Sequence, residues 1–259
     1  MHRPIGIFDS GVGGTSIWKE VVKLLPNEDT LYLADSANAP YGEKSKEAIL
    51  QLSIKNTEYL LEQGCKLIIV ACNTATTNAI DYLRANYPVP FIGIEPAIKP
   101  AALQTKTKKV GVLATKGTLS SSLFHSTSKL FAEGITVIEQ EGKGLVELIE
   151  AGKTRSPEMR NLLMGFLQPM LEQQIDCLVL GCTHYPYLIP VLKELLPNNV
   201  TIIDSGEAVA RQTKAVLQAN KLLSVDGKVT MHRFYTNKGT EVLKSLVNGP
   251  NVQVANLNF

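Results

Sequence analysis

The chain predicts an α/β protein made of two pseudo-symmetric parallel-sheet α/β domains, with its functional site in the cleft between them. Three observations carry this expectation. Short apolar strands alternate with amphipathic helices, the second set of strands can be laid over the first, and a cysteine closes the same strand in each set. "IGIFD" (5–9) is an apolar run that ends on a carboxylate and enters the glycine-rich turn "SGVGG". The stretch 16–25, "SIWKEVVKLL", spaces its apolar residues by three and four, as one face of a helix requires. "TLYLA" (30–34) is the next strand, and 46–63, "KEAILQLSIKNTEYLLEQ", the next helix. "LIIVA" (67–71) is a continuous run of the kind found where a sheet is covered on both faces. It breaks at Cys72 into Asn73, Thr74, Thr76 and Thr77, where the chain turns toward a helix. "FIGIE" (91–95) closes the first set, and "KVGVLAT" (109–115), "ITVIE" (135–139), "CLVLG" (177–181) and "VTIID" (200–204) repeat it.

The overlay is specific. Gly6 falls on Gly111, Cys72 on Cys182 and Glu95 on Asp204, at offsets of 105, 110 and 109 residues. Any one match between apolar strands carries little weight; three in order, with cysteine on cysteine, point to an internal duplication. Ligands of open parallel sheets bind beyond the carboxyl ends of the strands. Two such edges facing each other across a cleft put Cys72 and Cys182 on opposite sides of whatever lies between them.

Composition narrows the remaining classes. With 26 basic and 24 acidic residues and no long run of either sign, nothing supports nucleic-acid or membrane-surface binding. No apolar stretch reaches the roughly 18 residues needed to span a bilayer. The first residues, "MHRPIGIFDSG", enter a strand without a signal-peptide apolar region, so a cytoplasmic location is the default expectation. The four cysteines, Cys65, Cys72, Cys177 and Cys182, match no zinc spacing, and disulfides are not expected in a reducing compartment. Cys65 and Cys177 enter strands instead of leaving them and read as structural.

Paired thiols suit one chemistry well. Inverting an α-carbon needs one group to remove a proton from one face and a second to return a proton to the other. Because the reverse reaction exchanges these roles, the two groups must be chemically alike. Cysteine meets the need if its pKa falls from about 8.5, giving a thiolate on one side and a thiol on the other.

Four blocks, "GIFDSGVGG" (6–14), "YLADSANAPYG" (32–42), "VACNTAT" (70–76) and "LGCTHYP" (180–186), resemble the signature blocks of glutamate racemase, within the aspartate/glutamate racemase superfamily. The cysteine blocks resemble the whole superfamily, while "DSGVGG" with "PYG" narrows the likeness to glutamate. The resemblance implies a cofactor-independent and metal-free isomerase that supplies D-glutamate for peptidoglycan. It implies Cys72 and Cys182 as the two proton donors and acceptors. Asp9 would assist the first, and His184, with Glu150 as its carboxylate partner, the second. Ser10, Tyr41, Gly42, Asn73, Thr74, Thr183 and His184 match the substrate-binding positions, with Asp9 beside them; Thr115, Thr118 and Asp35 are weaker additions. It further implies that the carboxyl-terminal segment returns to the first half, giving domains 1–97 plus 206–259 and 98–205. The crossings fall at 94–101 and 204–212, and a homodimer is the expected assembly.

Each residue also has a plainer reading. Asp9 can cap the helix after the glycines, His184 can be a loop histidine, Glu150 a helix-surface carboxylate, and Tyr41-Gly42 turn chemistry after Pro40. The glycine-rich turn can cradle phosphate, but it lacks a P-loop lysine, and Ser16 stands where a dinucleotide fingerprint needs glycine. A Rossmann dehydrogenase would use Asp35 on a ribose and leave both cysteine blocks without a role. A cysteine hydrolase built on Cys182 and His184 would leave Cys72 unexplained. A non-catalytic amino-acid-binding protein would make no use of paired thiols.

Overall fold

The computed structural model describes residues 3–131, 133–224, 229–249 and 251–259. In chain order the elements are β1 (Ile5–Asp9), α1 (Thr15–Leu24), β2 (Thr30–Ala34), α2 (Lys46–Glu62), β3 (Leu67–Val70), α3 (Asn73–Asn86), β4 (Phe91–Gly93) and α4 (Ile98–Gln104). Then come β5 (Lys109–Ala114), α5 (Lys116–Leu119), α6 (Ser122–Phe131), β6 (Thr136–Glu141), α7 (Leu145–Glu150), α8 (Pro157–Glu172), β7 (Cys177–Gly181) and α9 (Ile189–Leu195). The chain ends with β8 (Thr201–Ile203), α10 (Gly206–Ala219), β9 (His232–Thr236), α11 (Glu241–Leu246) and β10 (Val252–Asn256). Two parallel sheets result, ordered β10-β9-β2-β1-β3-β4 and β6-β5-β7-β8.

The second sheet repeats the order of β2-β1-β3-β4 strand for strand, and the duplication extends to register. Gly6 lies opposite Ile68, four residues before Cys72; Gly111 lies opposite Leu178, four residues before Cys182. The third match needs a correction. Phe91 pairs with Ile68 and Ile202 with Leu178, so the counterpart of Asp204 is Gly93 and not Glu95. A slip of two residues keeps the same side chains facing inward, so hydrophobic patterning cannot detect it.

β1, β2, β3 and β7 are buried along their whole length, as continuous apolar strands covered by helices should be. Alternate residues feed different layers. Phe8, Leu33 and Val70 join one core cluster of the first sheet, while Ile7, Tyr32 and Ile69 join another that continues into Leu178 and Leu180 of the second. β4 and β8 are shorter than expected because side chains end them. The Ile94 N–H donates to Thr76 Oγ1 instead of extending the ladder. Asp204 Oδ1 accepts the Gly206 N–H and starts α10 with an Asx turn. β6 starts one residue later and runs two residues further than "ITVIE", as an edge strand with no buried residue.

β9 pairs with β2, and β10 with β9, so the segment after α10 enlarges the first sheet. A buried ion pair, Lys66 Nζ to Glu28 Oε2 at 2.6 Å, anchors the approach to these strands; Lys66 also donates to the Leu222 carbonyl at 2.6 Å. The two passages between the sheets touch, with Ser205 Oγ donating to the Glu95 carbonyl at 2.5 Å.

Candidate active site

Both cysteines sit where a central strand ends. Cys72 follows β3 and is the N-cap of α3; its Sγ accepts the Ala75 N–H at 3.4 Å and donates to Ser10 Oγ at 3.7 Å. Cys182 follows β7, with Sγ 3.8 Å from His184 Nδ1. The two thiols line one tight cavity, together with Ser10, Pro40, Tyr41, Gly42, Asn73, Thr74, Thr115, Val146, Thr183 and His184. Of the positions matched to substrate binding, Ser10, Tyr41, Gly42, Asn73, Thr74, Thr183 and His184 line this cavity and Asp9 does not.

Two expected residues stand one layer back. Asp9, fully buried, accepts the Gly14 N–H at 2.9 Å and the Gly11 N–H at 3.3 Å on Oδ2. Its Oδ1 receives Ser10 Oγ at 3.5 Å and Thr183 Oγ1 at 3.3 Å. Asp9 thus shapes the glycine loop and reaches Cys72 through Ser10, but it does not cap α1, whose N-cap is Gly14 and carries no side-chain cap bond. Burial, the largest influence, raises its pKa above the ordinary carboxylate value, with the His184 charge working against it. Glu150, at the end of α7, lies behind His184. It accepts from His184 Nε2 at 2.7 Å, from the Val12 N–H at 2.6 Å and from Ser36 Oγ at 2.9 Å. It is not a surface carboxylate.

Burial opposes a charge on His184, but hydrogen bonding to Cys182 and Glu150 and the nearby Asp9 outweigh it, holding the imidazole well above its usual pKa. A charged ring donates from both nitrogens, toward Glu150 and Cys182. The 3.2 Å contact of the Gly13 N–H with Nε2 suits only the neutral ring; the shorter Glu150 contact favours the charged one. Burial also opposes ionised Glu150, yet the hydrogen bonds from His184, Val12 and Ser36 hold its carboxyl below the ordinary value.

The pKa of Cys72 is pushed well up, first by burial and then by the Asp9 charge; the Ala75 N–H and Ser10 lower it only in part. The protein alone therefore holds Cys72 as the thiol. Burial likewise pushes Cys65 up to about 12 and Cys177 up to about 11, at the strand starts where inert thiols were expected.

The glycine loop is not a phosphate cradle. The Val12 amide is committed to Glu150, and a Cβ at Gly13 would lie 2.2 Å from His184 Nδ1. The loop is bare so that the second half can press into it. On the other wall, Thr74 Oγ1 meets Thr115 Oγ1 at 2.8 Å and Thr118 Oγ1 at 3.3 Å; Thr115 lines the cavity, while Thr118, fully buried, stands behind it. Asn73 has both side-chain amide atoms buried and without a partner among the described residues, as an amide built to meet a polar ligand group would be. Asp35 does not line the cavity; its Oδ2 accepts the Tyr41 phenol at 2.5 Å. Val146, Ser36 and Gly13 were not expected. Val146 is indistinguishable from core in an apolar helix, and the other two act only through contacts between distant segments. Among the described residues no cluster of His, Cys, Asp and Glu is arranged to hold a metal, and no helix is long and apolar enough to cross a membrane.

A like-for-like pair of thiols on register-equivalent strand ends, across one small cavity, is the arrangement expected of a two-base isomerase. The Asp/Glu/Hydantoin racemase family model matches residues 5–213, and the chain belongs to that family. A glutamate racemase of Ectopseudomonas mendocina is 51% identical over 224 residues, covering 86% of this chain and 85% of that protein. The crystal structure of the Escherichia coli glutamate racemase in complex with L-glutamate and the activator UDP-MurNAc-Ala superposes with a TM-score of 0.86 at 34% identity, covering 98% of each chain. A glutamate racemase isoform from Bacillus anthracis gives 0.87 at 30% identity, over 99% of this chain and 98% of that one.

Proposed function

We propose that this protein interconverts L- and D-glutamate without a cofactor or metal, by proton transfer between two cysteines on opposite faces of the substrate α-carbon. The single observation that carries the reading is the shared cavity, where Cys72 and Cys182 occupy equivalent positions of the duplicated fold. Cys182, served by an imidazolium 3.8 Å away, acts on L-glutamate; Cys72, held as the thiol by burial and Asp9, returns a proton on the other face. In the reverse direction Cys72 passes its proton along Ser10 to Asp9, whose raised pKa suits it to accept one. The substrate ammonium adds the positive charge that a Cys72 thiolate lacks in the protein alone.

Asn73, Thr74, Thr183, Ser10 and the Tyr41–Gly42 turn hold the two carboxylates and the ammonium through amides and hydroxyls. The division into 1–97 plus 206–259 and 98–205 places the hinge at the Glu95–Ser205 contact, and closure about it excludes water from a weak-acid proton transfer. The product serves peptidoglycan synthesis in the cytoplasm, and the protein works as a homodimer.

Circular dichroism of purified protein, dialysed exhaustively against chelator and incubated with single enantiomers, tests this. Ellipticity of L- or D-glutamate is expected to decay to zero while D-alanine keeps its signal. Stable ellipticity of both glutamate enantiomers, or activity that returns only with added pyridoxal phosphate or metal, would refute the proposal.

A further inference from the structure

We propose that Asn237, in the turn after β9, is a positioning residue for the substrate-binding turn at Tyr41–Gly42. The inference rests on the racemase reading above and extends it to a segment that none of the motif blocks covers.

Tyr41 and Gly42 line the cavity from a stretch with little backbone support. The chain from Asp35 to Lys44 contains only two three-residue 3₁₀ turns, Ser36–Asn38 and Tyr41–Glu43. Such short turns do not fix their own position. Side chains do it here. Tyr41 is 1% exposed, and its phenol donates to Asp35 Oδ2 at 2.5 Å while accepting from Asn56 Nδ2 at 3.2 Å. Asp35, fully buried, is the hub; its Oδ1 also receives Asn38 Nδ2 at 2.8 Å.

The remaining contact comes from far along the chain. Ala34 pairs with Thr236, so the residue after β9 arrives beside Asp35 by strand register. Asn237 uses both ends of its amide there. Nδ2 donates to Asp35 Oδ1 at 2.5 Å, and Oδ1 accepts the Ala37 N–H at 2.8 Å. One side chain thus fixes both the carboxylate that anchors Tyr41 and the backbone that leads to it. Asn237 is itself only half-buried and touches no cavity-lining residue among its hydrogen-bond partners. Its removal leaves Asp35 still bonded to Asn38 and Tyr41, so the sheet has no reason to fail. What is lost is the exact placement of the turn, which the ground state and the transition state of the substrate both use.

The experiment compares Asn237→Ala, wild type and a control, Asn256→Ala, which removes a contact to the Lys238 carbonyl on the same turn. KM for both glutamate enantiomers is expected to rise roughly tenfold in Asn237→Ala, about the value of one good hydrogen bond, with kcat within about twofold of wild type. Asn256→Ala should keep wild-type KM. In a double-mutant cycle, Asn237→Ala in a Tyr41→Phe background should add little, because both act on the same placement. A KM within twofold of wild type in Asn237→Ala overturns the inference, as does a loss confined to kcat and melting temperature, the mark of a merely structural residue. Wild-type protein that fails to racemise glutamate would overturn the racemase reading and this extension together; racemising wild type with an indifferent Asn237 overturns the extension alone.

Discussion

Replacing either Cys72 or Cys182 by serine is expected to lower kcat/KM for racemisation by about 10³-fold or more in both directions, within the range or beyond that a single general acid–base group supplies. A serine hydroxyl is far too weak an acid to stand in for a thiol of ordinary pKa about 8.5. Full inversion needs both groups, so a double replacement should cost little beyond either single one, as residues acting as a unit do. Both positions are buried, but the exchange removes little volume, and each variant should keep a cooperative thermal transition. Cys65→Ser and Cys177→Ser are the controls; their thiols are at the entry of β3 and β7, away from the cavity. Steady-state assays from each enantiomer, with melting curves alongside, check this. Near-wild-type activity of Cys72→Ser, or loss confined to the Cys65 control, would sink the paired-thiol account.

Gly13→Ala is expected to cost about 10²-fold in kcat/KM while leaving the fold intact. The added Cβ would lie 2.2 Å from His184 Nδ1, 2.4 Å from its Cγ and 2.6 Å from its backbone nitrogen. A rotamer change of the histidine cannot relieve an overlap with its own backbone, so the loop or the whole second half must shift. Displacements near 1 Å at a catalytic group are worth about this much. The shift also separates Glu150 from the Val12 N–H, now 2.6 Å apart, and disturbs the pair that keeps His184 charged. Gly165→Ala, at a helical site with nothing within 4 Å of the new Cβ, should be neutral or slightly stabilising. Unchanged kcat/KM in Gly13→Ala would show that the glycine loop is not shaped by the second half.

How far the sequence reveals this site depends on the range over which each signal acts. Strands, the paired cysteines and the duplicated order are local signals: apolar runs, strand-end chemistry and a repeat. They hold in the structure to within a residue or two, including at β4 and β8, where Thr76 and Asp204 turn the backbone out of the ladder. The expected lining residues cluster because they sit at the ends of β1, β3 and β7 and in the turn after β2. Other features depend on register between distant segments. That Gly93 matches Asp204 becomes visible only once Phe91 is seen opposite Ile68. "HRFYT" and "VQVAN" mix polar with apolar residues and are only partly buried, with no continuous apolar run, so β9, β10 and the Asn237 contact were not legible from periodicity. Which thiol is held protonated is likewise not legible, because the upward shift at Cys72 comes from complete burial and from Asp9, neither of which a strand-end position reveals.

The central claim is that two groups, not one, work on opposite faces of the α-carbon, and isotope transfer in D₂O tests it most directly. L-Glutamate is incubated with enzyme in D₂O, and the reaction is stopped at low conversion. The proton on Cys72 exchanges with solvent before it is delivered, so the D-glutamate formed should carry deuterium at Cα while the remaining L-glutamate keeps protium. The same should hold starting from D-glutamate, with the roles of Cys72 and Cys182 exchanged. Early product that retains protium at Cα would mean that a single group removes and returns the same proton, and would contradict the two-thiol account.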